Sequence, residues 1–379
     1  MTRLVVLRET EAEERRVAVV PADLPRLIDL GLEVVVEQGA GVPAGHPDSE
    51  YELAGGSVAP LREALGKAAA ILVKVRPPSE AEAGALPQHA TLICFLPPAA
   101  HLTVVGRLRD RAITTYSFDL VPRTSRAQSV DALSSQASAS GYEAAILAAR
   151  RLGQMMPMLM TAAGTIPPAK VFVMGAGVAG LQAIATARRL GASVSAFDIR
   201  PEAAEEVHSL GGRFVELALE ATRGAGGYAA EQSEEFLRKQ QELVATTIAE
   251  SDAVITTAAV PGRPAPRLIS TATVETMRTG SVIVDVAAAS GGNCELTRDG
   301  EEVLHHGVLI VGAGNLASEV PNSASALYSR NVSNLLALLV KDGGVVTQPE
   351  DEVLVSMCAT AGGQVRHEPT RAAMEGTAE

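Results

Sequence analysis

The sequence has no tryptophan, and aromatic residues make up only 3% of its 379 positions. Its cores must therefore be built from Val, Leu, Ile and Ala. Apolar residues reach 47%, which excludes global disorder. Cysteine is scarce too. Cys94, Cys294 and Cys358 show no CxxC spacing, and each sits in or beside an apolar run, so buried free thiols are expected. Basic charge is in deficit: the net charge is −12. That argues against nucleic acid as a partner, because phosphate binding needs a basic face. No apolar run approaches the ~18–20 residues needed to span a bilayer. The start, MTRLVVLRETEAEERR, has no apolar region ahead of a cleavage site. The expectation is a cytoplasmic chain with no transmembrane segment, for which any membrane role would need another chain.

Several catalytic signatures are also missing. There is no GxSxG and no P-loop, and no His or carboxylate spacing suggests zinc, so no metal is expected. The tandem His305–His306 precedes a β-like run and reads as an exposed loop pair. An enzyme that oxidises an alcohol or amine with a dinucleotide usually needs an acid/base group beside the nicotinamide. None of the seven histidines stands out for that task.

What is present is alternation. Residues 1–120 interleave β-like runs (LVVLRE, EVVVEQ, ILVKV, LICFL, ITTYSF) with helical ones. A second series starts at Lys170 with KVFVMG, SVSAFD, GRFVEL, DAVITTA, SVIVDV and VLIVGAG. Strand and helix in alternation predict parallel sheets covered on both faces. The fold class expected is α/β, with two doubly wound Rossmann-like domains separated by a nucleotide-binding cleft. The boundaries drawn are 1–134 plus 320–379 for a discontinuous first domain and 135–319 for the second. SQASASGYEAAILAARRLG and NSASALYSRNVSNLLALLVKD read as long helices. The segment from about Gly362 onward reads as a fraying tail.

The most informative stretch is KVFVMGAGVAGLQAIATARRLGASVSAFDIR. Gly175, Gly177 and Gly180 form GxGxxG between a β-run and a helical pattern. Asp198 ends the next β-run, 21 residues after Gly177. In this context each part has a purpose. Gly175 permits the tight turn, Gly177 lets a pyrophosphate approach the backbone, and Gly180 lets helix and strand pack closely. The helix N-terminus offers unpaired N–H groups to the phosphates. Asp198 can accept hydrogen bonds from a ribose 2′-OH and would repel a 2′-phosphate, which favours NAD(H) over NADP(H). A second GxG, in VGAGNLASE, lacks the third glycine and a following acid.

The stretch PRTSRAQSVDALSSQ is far more polar than its surroundings. From its residues alone it is either a solvated interdomain loop or a loop that holds a polar ligand.

SRAQSVDALSSQ, ILVKVRPP, VMGAGVAGLQAIATARRLGA, AGGYAAE, AVPGRPAPRLI and VDVAAASGGNCE together resemble the NAD(H)-binding component of proton-translocating nicotinamide nucleotide transhydrogenase. The likeness runs along almost the whole chain. It implies a homodimer, working with an NADP(H)-binding beta subunit and a membrane-spanning subunit on the inner face of the cell membrane. It implies that Arg123, Gln128, Asp131 and Ser134 act at the nicotinamide and its ribose, with Gln128 reaching toward the partner's nucleotide. Arg123 would orient Asp131 or reach the ribose or phosphate; Arg126 is unassigned. It places Val178, Ala179, Ile199, Arg200 and Ala258 with the glycines and Asp198 around the bound NAD(H). Tyr228, in a glycine-rich loop, would close over the adenosine side.

The same fold is shared with alanine dehydrogenase, the obvious competitor. Those enzymes bind the oxo-acid with an Arg, a Lys and a His and have a catalytic Asp. Arg16 and Lys74 fill two of these positions, whereas Phe95 and Ala289 replace the polar pair. A third possibility is a noncatalytic NAD-dependent regulator.

Overall fold

A computed structural model describes residues 2–66, 71–216, 234–259, 263–346 and 350–376. In chain order the strands are β1 (Thr2–Val6), β2 (Leu32–Glu37), β3 (Ser57–Ala59), β4 (Ile71–Val73), β5 (Thr91–Cys94), β6 (Thr114–Ser117), β7 (Leu159–Thr161), β8 (Gly164–Ile166), β9 (Lys170–Met174) and β10 (Ser193–Phe197). There follow β11 (Arg213–Phe214), β12 (Ala253–Thr256), β13 (Val282–Asp285), β14 (Glu302–His305), β15 (Val308–Gly312), β16 (Val340–Lys341), β17 (Gly344–Val345), β18 (Cys358–Ala361) and β19 (Gln364–Val365). They fall into two compact units, residues 1–136 with 317–379, and residues 137–316.

In the first unit the sheet order is β19-β18-β6-β5-β4-β1-β2-β3. The six strands from β6 to β3 are parallel, and β18 and β19 add antiparallel edges. β1, β4 and β5 carry Val, Leu and Ile on both faces, as a strand covered by helices on both sides must. The helix Pro321–Leu339 returns to this unit and buries Tyr328, Val332, Leu335, Leu336 and Leu339 in its core.

In the second unit the order is β11-β10-β9-β12-β13-β15-β14, parallel except for β14. Chain order reverses between β9 and β12, the position where open α/β sheets bind ligands beyond the carboxyl ends of their strands. β7 and β8 form a separate exposed hairpin.

Two expectations need correction. The segment beyond Gly362 is no tail: β19 pairs with β18, and the helix Glu368–Glu375 follows. Its anchors are a buried Thr370 and Met374 packed on the apolar cluster beside β5. His305 and His306 are not a loop pair either. His305 ends β14 with its ring 3.1 Å from Glu275, while His306 takes the turn at φ +50°. Of the thiols, Cys94 and Cys294 are buried, Cys358 is partly exposed, and all three are free. Among the described residues no helix is long and apolar enough to cross a membrane.

Candidate functional site

The second unit's site begins where β9 ends. Gly175 turns at φ +96°, a conformation L side chains rarely adopt, and a Cβ there would meet Thr257 Oγ1 at 2.8 Å. Gly180 lies in the first turn of the helix Val178–Arg189. A Cβ on it would fall 1.8 Å from the Gly175 carbonyl, so helix and turn touch backbone to backbone.

Gly177 differs from both. Its φ is −76°, open to any residue, and a Cβ would meet nothing within 4 Å. Neither conformation nor packing requires glycine at this position. The space it leaves open lies at a helix N-terminus that no side chain caps, where N–H groups and the macrodipole favour an anion. The residues present therefore fit a pyrophosphate. Val178 is exposed beside it, Ala179 half-buried.

Asp198 follows β10 with its side chain only 8% exposed. Its Oδ2 accepts from Ala176 N–H at 2.7 Å, and its Oδ1 accepts from Arg200 N–H at 2.9 Å and Arg200 Nε at 3.0 Å. Burial would raise this carboxyl. The Arg200 side chain, its backbone N–H and the Ala176 N–H outweigh burial and hold it below the ordinary carboxylate range. It is an ionised acceptor, locked in orientation and tied back to the glycine turn. Arg200 stands over it, with Nη2 also donating to the Ala176 carbonyl at 3.3 Å. Ile199 is 86% exposed, an apolar face suited to an adenine ring.

On the other side of the chain reversal, Thr257 Oγ1 donates to the Gly175 carbonyl at 2.9 Å. Ala258 N–H donates to Asn293 Oδ1 at 3.1 Å, and Asn293 Nδ2 donates to the Ala258 carbonyl at 2.8 Å. Thr257, Asn293 and, beneath them, Asp285 are residues that sequence reasoning missed. The only signal for Asn293 was its place after the paired glycines of SGGNCE. Tyr228 lies outside the described residues. Gly312 and Gly314, the second GxG, are accounted for by packing: their Cβ atoms would meet the Arg298 carbonyl at 1.8 Å and Asp299 Oδ1 at 2.4 Å.

The polar stretch lies in the first unit. Ser125–Val130 form a 3-10 helix, anchored by buried Ala127 and Val130. Asp131 stands directly before the helix Ala132–Arg151. Its Oδ1 accepts from Ser134 N–H at 2.9 Å and its Oδ2 accepts from Ser134 Oγ at 2.6 Å, the pattern of an N-cap. Asp131 and Ser134 are thus brought together. The Arg123–Asp131 bond considered as one option is not formed. Arg123 and Gln128 are exposed, and among the described residues neither side chain has a polar partner. Arg126 pairs with Asp351.

Also in this unit, Arg16 is buried against Glu14, with Nη2 at 2.6 Å from Oε2 and Nη1 donating to Gln136 at 2.8 Å. Lys74 is buried against Glu82 at 2.9 Å and Glu9 at 3.9 Å. The Phe95 ring packs against Phe118 and Tyr328, centroids 5.9 and 5.4 Å away.

Two Rossmann-like units, one with an intact glycine turn, an open pyrophosphate seat and an ionised ribose acceptor, define an NAD-binding oxidoreductase class. Residues 5–140 match the model of the alanine dehydrogenase/PNT N-terminal domain, and residues 144–368 match that of its C-terminal domain. The chain belongs to the alanine dehydrogenase/PNT family. It is 44% identical over 375 residues to an NAD(P) transhydrogenase subunit alpha chain of Rhodospirillum rubrum, covering 96% of this chain and 98% of that one. To alanine dehydrogenase of Bacillus subtilis it is 27% identical, over 96% of this chain and 92% of that one. Among solved structures, a transhydrogenase from Sinorhizobium meliloti superposes with a TM-score of 0.89 at 43% identity, covering 96% of this chain and 99% of that one. An L-alanine dehydrogenase gives 0.84 at 25%, covering both chains completely.

Proposed function

We propose that this chain is the NAD(H)-binding alpha component of a proton-translocating transhydrogenase. NADH binds to the second unit at Gly175–Gly180 and Asp198. Its hydride passes from C4 of the dihydronicotinamide to C4 of NADP⁺ held by a beta subunit, giving NAD⁺ and NADPH. A membrane-spanning subunit couples this exchange to proton movement, so the chain is peripheral on the inner face of the cell membrane. The β7–β8 hairpin supports a homodimer: Met158, Leu159, Met160 and Ile166 are exposed on a two-stranded ribbon too small to be stable alone.

The observation that carries this reading is Phe95. Where alanine dehydrogenases place a histidine, this chain has a hydrocarbon ring packed among aromatics. The hydride partner must then be one that needs no proton removed, and a second nicotinamide is such a partner. Catalysis reduces to positioning two rings and excluding water. We assign that positioning to Arg123, Gln128, Asp131 and Ser134. The free side chains of Arg123 and Gln128 suit contact with a nucleotide. Asp131, already fixed by Ser134, presents an oriented acceptor to the carboxamide.

Stopped-flow transfer between bound nucleotides, with the NADP-binding partner present, tests the assignment. Asp131→Asn keeps a side-chain oxygen to cap the helix, and Gln128→Asn shortens the reach by one methylene. Each should slow transfer by about ten-fold or more, since misplacement by about 1 Å can cost roughly 100-fold. NADH affinity, measured separately, should change far less. Transfer at the wild-type rate would reduce the loop to a linker.

A further inference from the structure

We infer that Asn293 is a positioning residue for the nicotinamide half of the nucleotide. The inference rests on the assignment of the NAD(H) site to the second unit. Asn293 is completely buried, yet all of its side-chain polar capacity is spent on one segment. Oδ1 accepts from Ala258 N–H at 3.1 Å, and Nδ2 donates to the Ala258 carbonyl at 2.8 Å and to the Pro266 carbonyl at 2.8 Å. A single amide therefore fixes both ends of the stretch from Ala258 to Pro266. The pattern needs one acceptor and two donors within a short reach, which an asparagine supplies and an aspartate, serine or leucine does not.

Asn293 is itself held firmly. Its N–H donates to Asp285 Oδ2 at 2.7 Å, as do Cys294 N–H at 3.0 Å and Thr297 Oγ1 at 2.6 Å, while Asp285 Oδ1 accepts from Ala287 N–H at 3.1 Å. Asp285 is fully buried at the end of β13. Gly292, at φ +79°, has no Cβ because one would sit 2.8 Å from that carboxylate. The chain from β13 to Asn293 is thus a rigid bracket whose exposed product is the peptide of Ala258.

That peptide matters because of where it stands. Asp198, after β10, takes the adenosine ribose on one side of the chain reversal. The open side of Gly177 takes the pyrophosphate in the middle. The remaining half of a dinucleotide must pass over the end of β12, which is Thr256 to Ala258. Ala258 N–H also lies 3.1 Å from the position of a Cβ on Gly175, so the strand end and the glycine turn are in register with each other.

Calorimetric titration of the intact chain with NADH and with ADP tests the inference. ADP carries only the adenosine and pyrophosphate groups. Asn293→Asp replaces a donor to two carbonyls by a carboxylate oxygen. It should weaken NADH about ten-fold, the scale of one unsatisfied buried group, and leave ADP within about two-fold. Thr297→Val, which removes one tie to Asp285 and leaves the Asn293 side chain intact, should show the same split at about two- to three-fold. It also serves if Asn293→Asp does not fold. Equal weakening of both ligands, or no weakening by either variant, overturns the positioning role. A wild-type chain that binds ADP but not NADH also overturns it, while leaving the mononucleotide seat standing. One that binds neither overturns the site assignment with it.

Discussion

At the scale of single residues, the charged run near the N-terminus shows what a linear pattern conceals. RETEAEERR reads as solvated surface, yet Glu9, Glu14 and Arg16 are buried. Arg16 finds Glu14 two residues away, and Lys74 finds Glu9 and Glu82 across the sheet. Glu9 is left in an awkward state. Burial pushes its carboxyl up to about 7, against the pull of Lys74 and the Val75 N–H. The folded chain holds this proton more tightly than the unfolded chain does. The contribution to stability is therefore complete below pH 4.5 and lost as pH rises through about 7. Glu9→Gln removes the titration. The melting temperature of the variant, relative to wild type, should be higher at pH 8 than at pH 5 by roughly 2–5 °C, on the scale of 1–2 kcal/mol for a chain of this size. A difference independent of pH would show that Glu9 does not carry the linkage. No spacing rule identifies such a group, because its partners come from three separate segments.

At the scale of elements, the sequence is most informative where periodicity and glycine chemistry coincide. β9, the turn and the helix Val178–Arg189 were legible because Val and Ile runs meet GxGxxG in the one order a nucleotide turn requires. Short edge elements were not. β3, β14 and the β7–β8 hairpin have three or four residues each, too few for a period to show. β19 and the last helix owe their order to contacts with β18 and the apolar cluster, not to local propensity. The glycines of the turn, alike on paper, separate in the structure. Gly177→Val should fold and melt as wild type does, since its Cβ enters open space, but should abolish NADH binding by filling the pyrophosphate seat. Gly180→Ala should do the opposite. Its Cβ would lie 1.8 Å from a backbone oxygen, so the helix must shift, at about 3 kcal/mol or more. Thermal melts set beside NADH titrations separate the two. A Gly177→Val chain that binds NADH normally would move the pyrophosphate elsewhere.

At the scale of the whole molecule, the question is which activity of a shared fold this chain retains. The oxo-acid chemistry of an alanine dehydrogenase needs charges free to meet a carboxylate and polar groups free to move a proton. The cations are present but engaged: Arg16 with Glu14 and Gln136, Lys74 with Glu82. Of the two proton-handling positions, one is Phe95, seated between Phe118 and Tyr328. The other is Ala289, whose Cβ lies 2.7 Å from where a Cβ on Gly314 would stand, leaving no room for a longer side chain on that side. Restoring amine oxidation would require changes in both units at once, and none would help alone. The purified chain with NAD⁺ and L-alanine should therefore produce no NADH above the uncatalysed background, and neither should Phe95→His or Ala289→Asp singly. Turnover near the ~1–1000 s⁻¹ of ordinary dehydrogenases, followed by NADH absorbance, would place the chain with the alanine dehydrogenases. With turnover absent and NADH still bound tightly, the remaining use of the site is to hand its hydride to an acceptor that this chain does not itself hold.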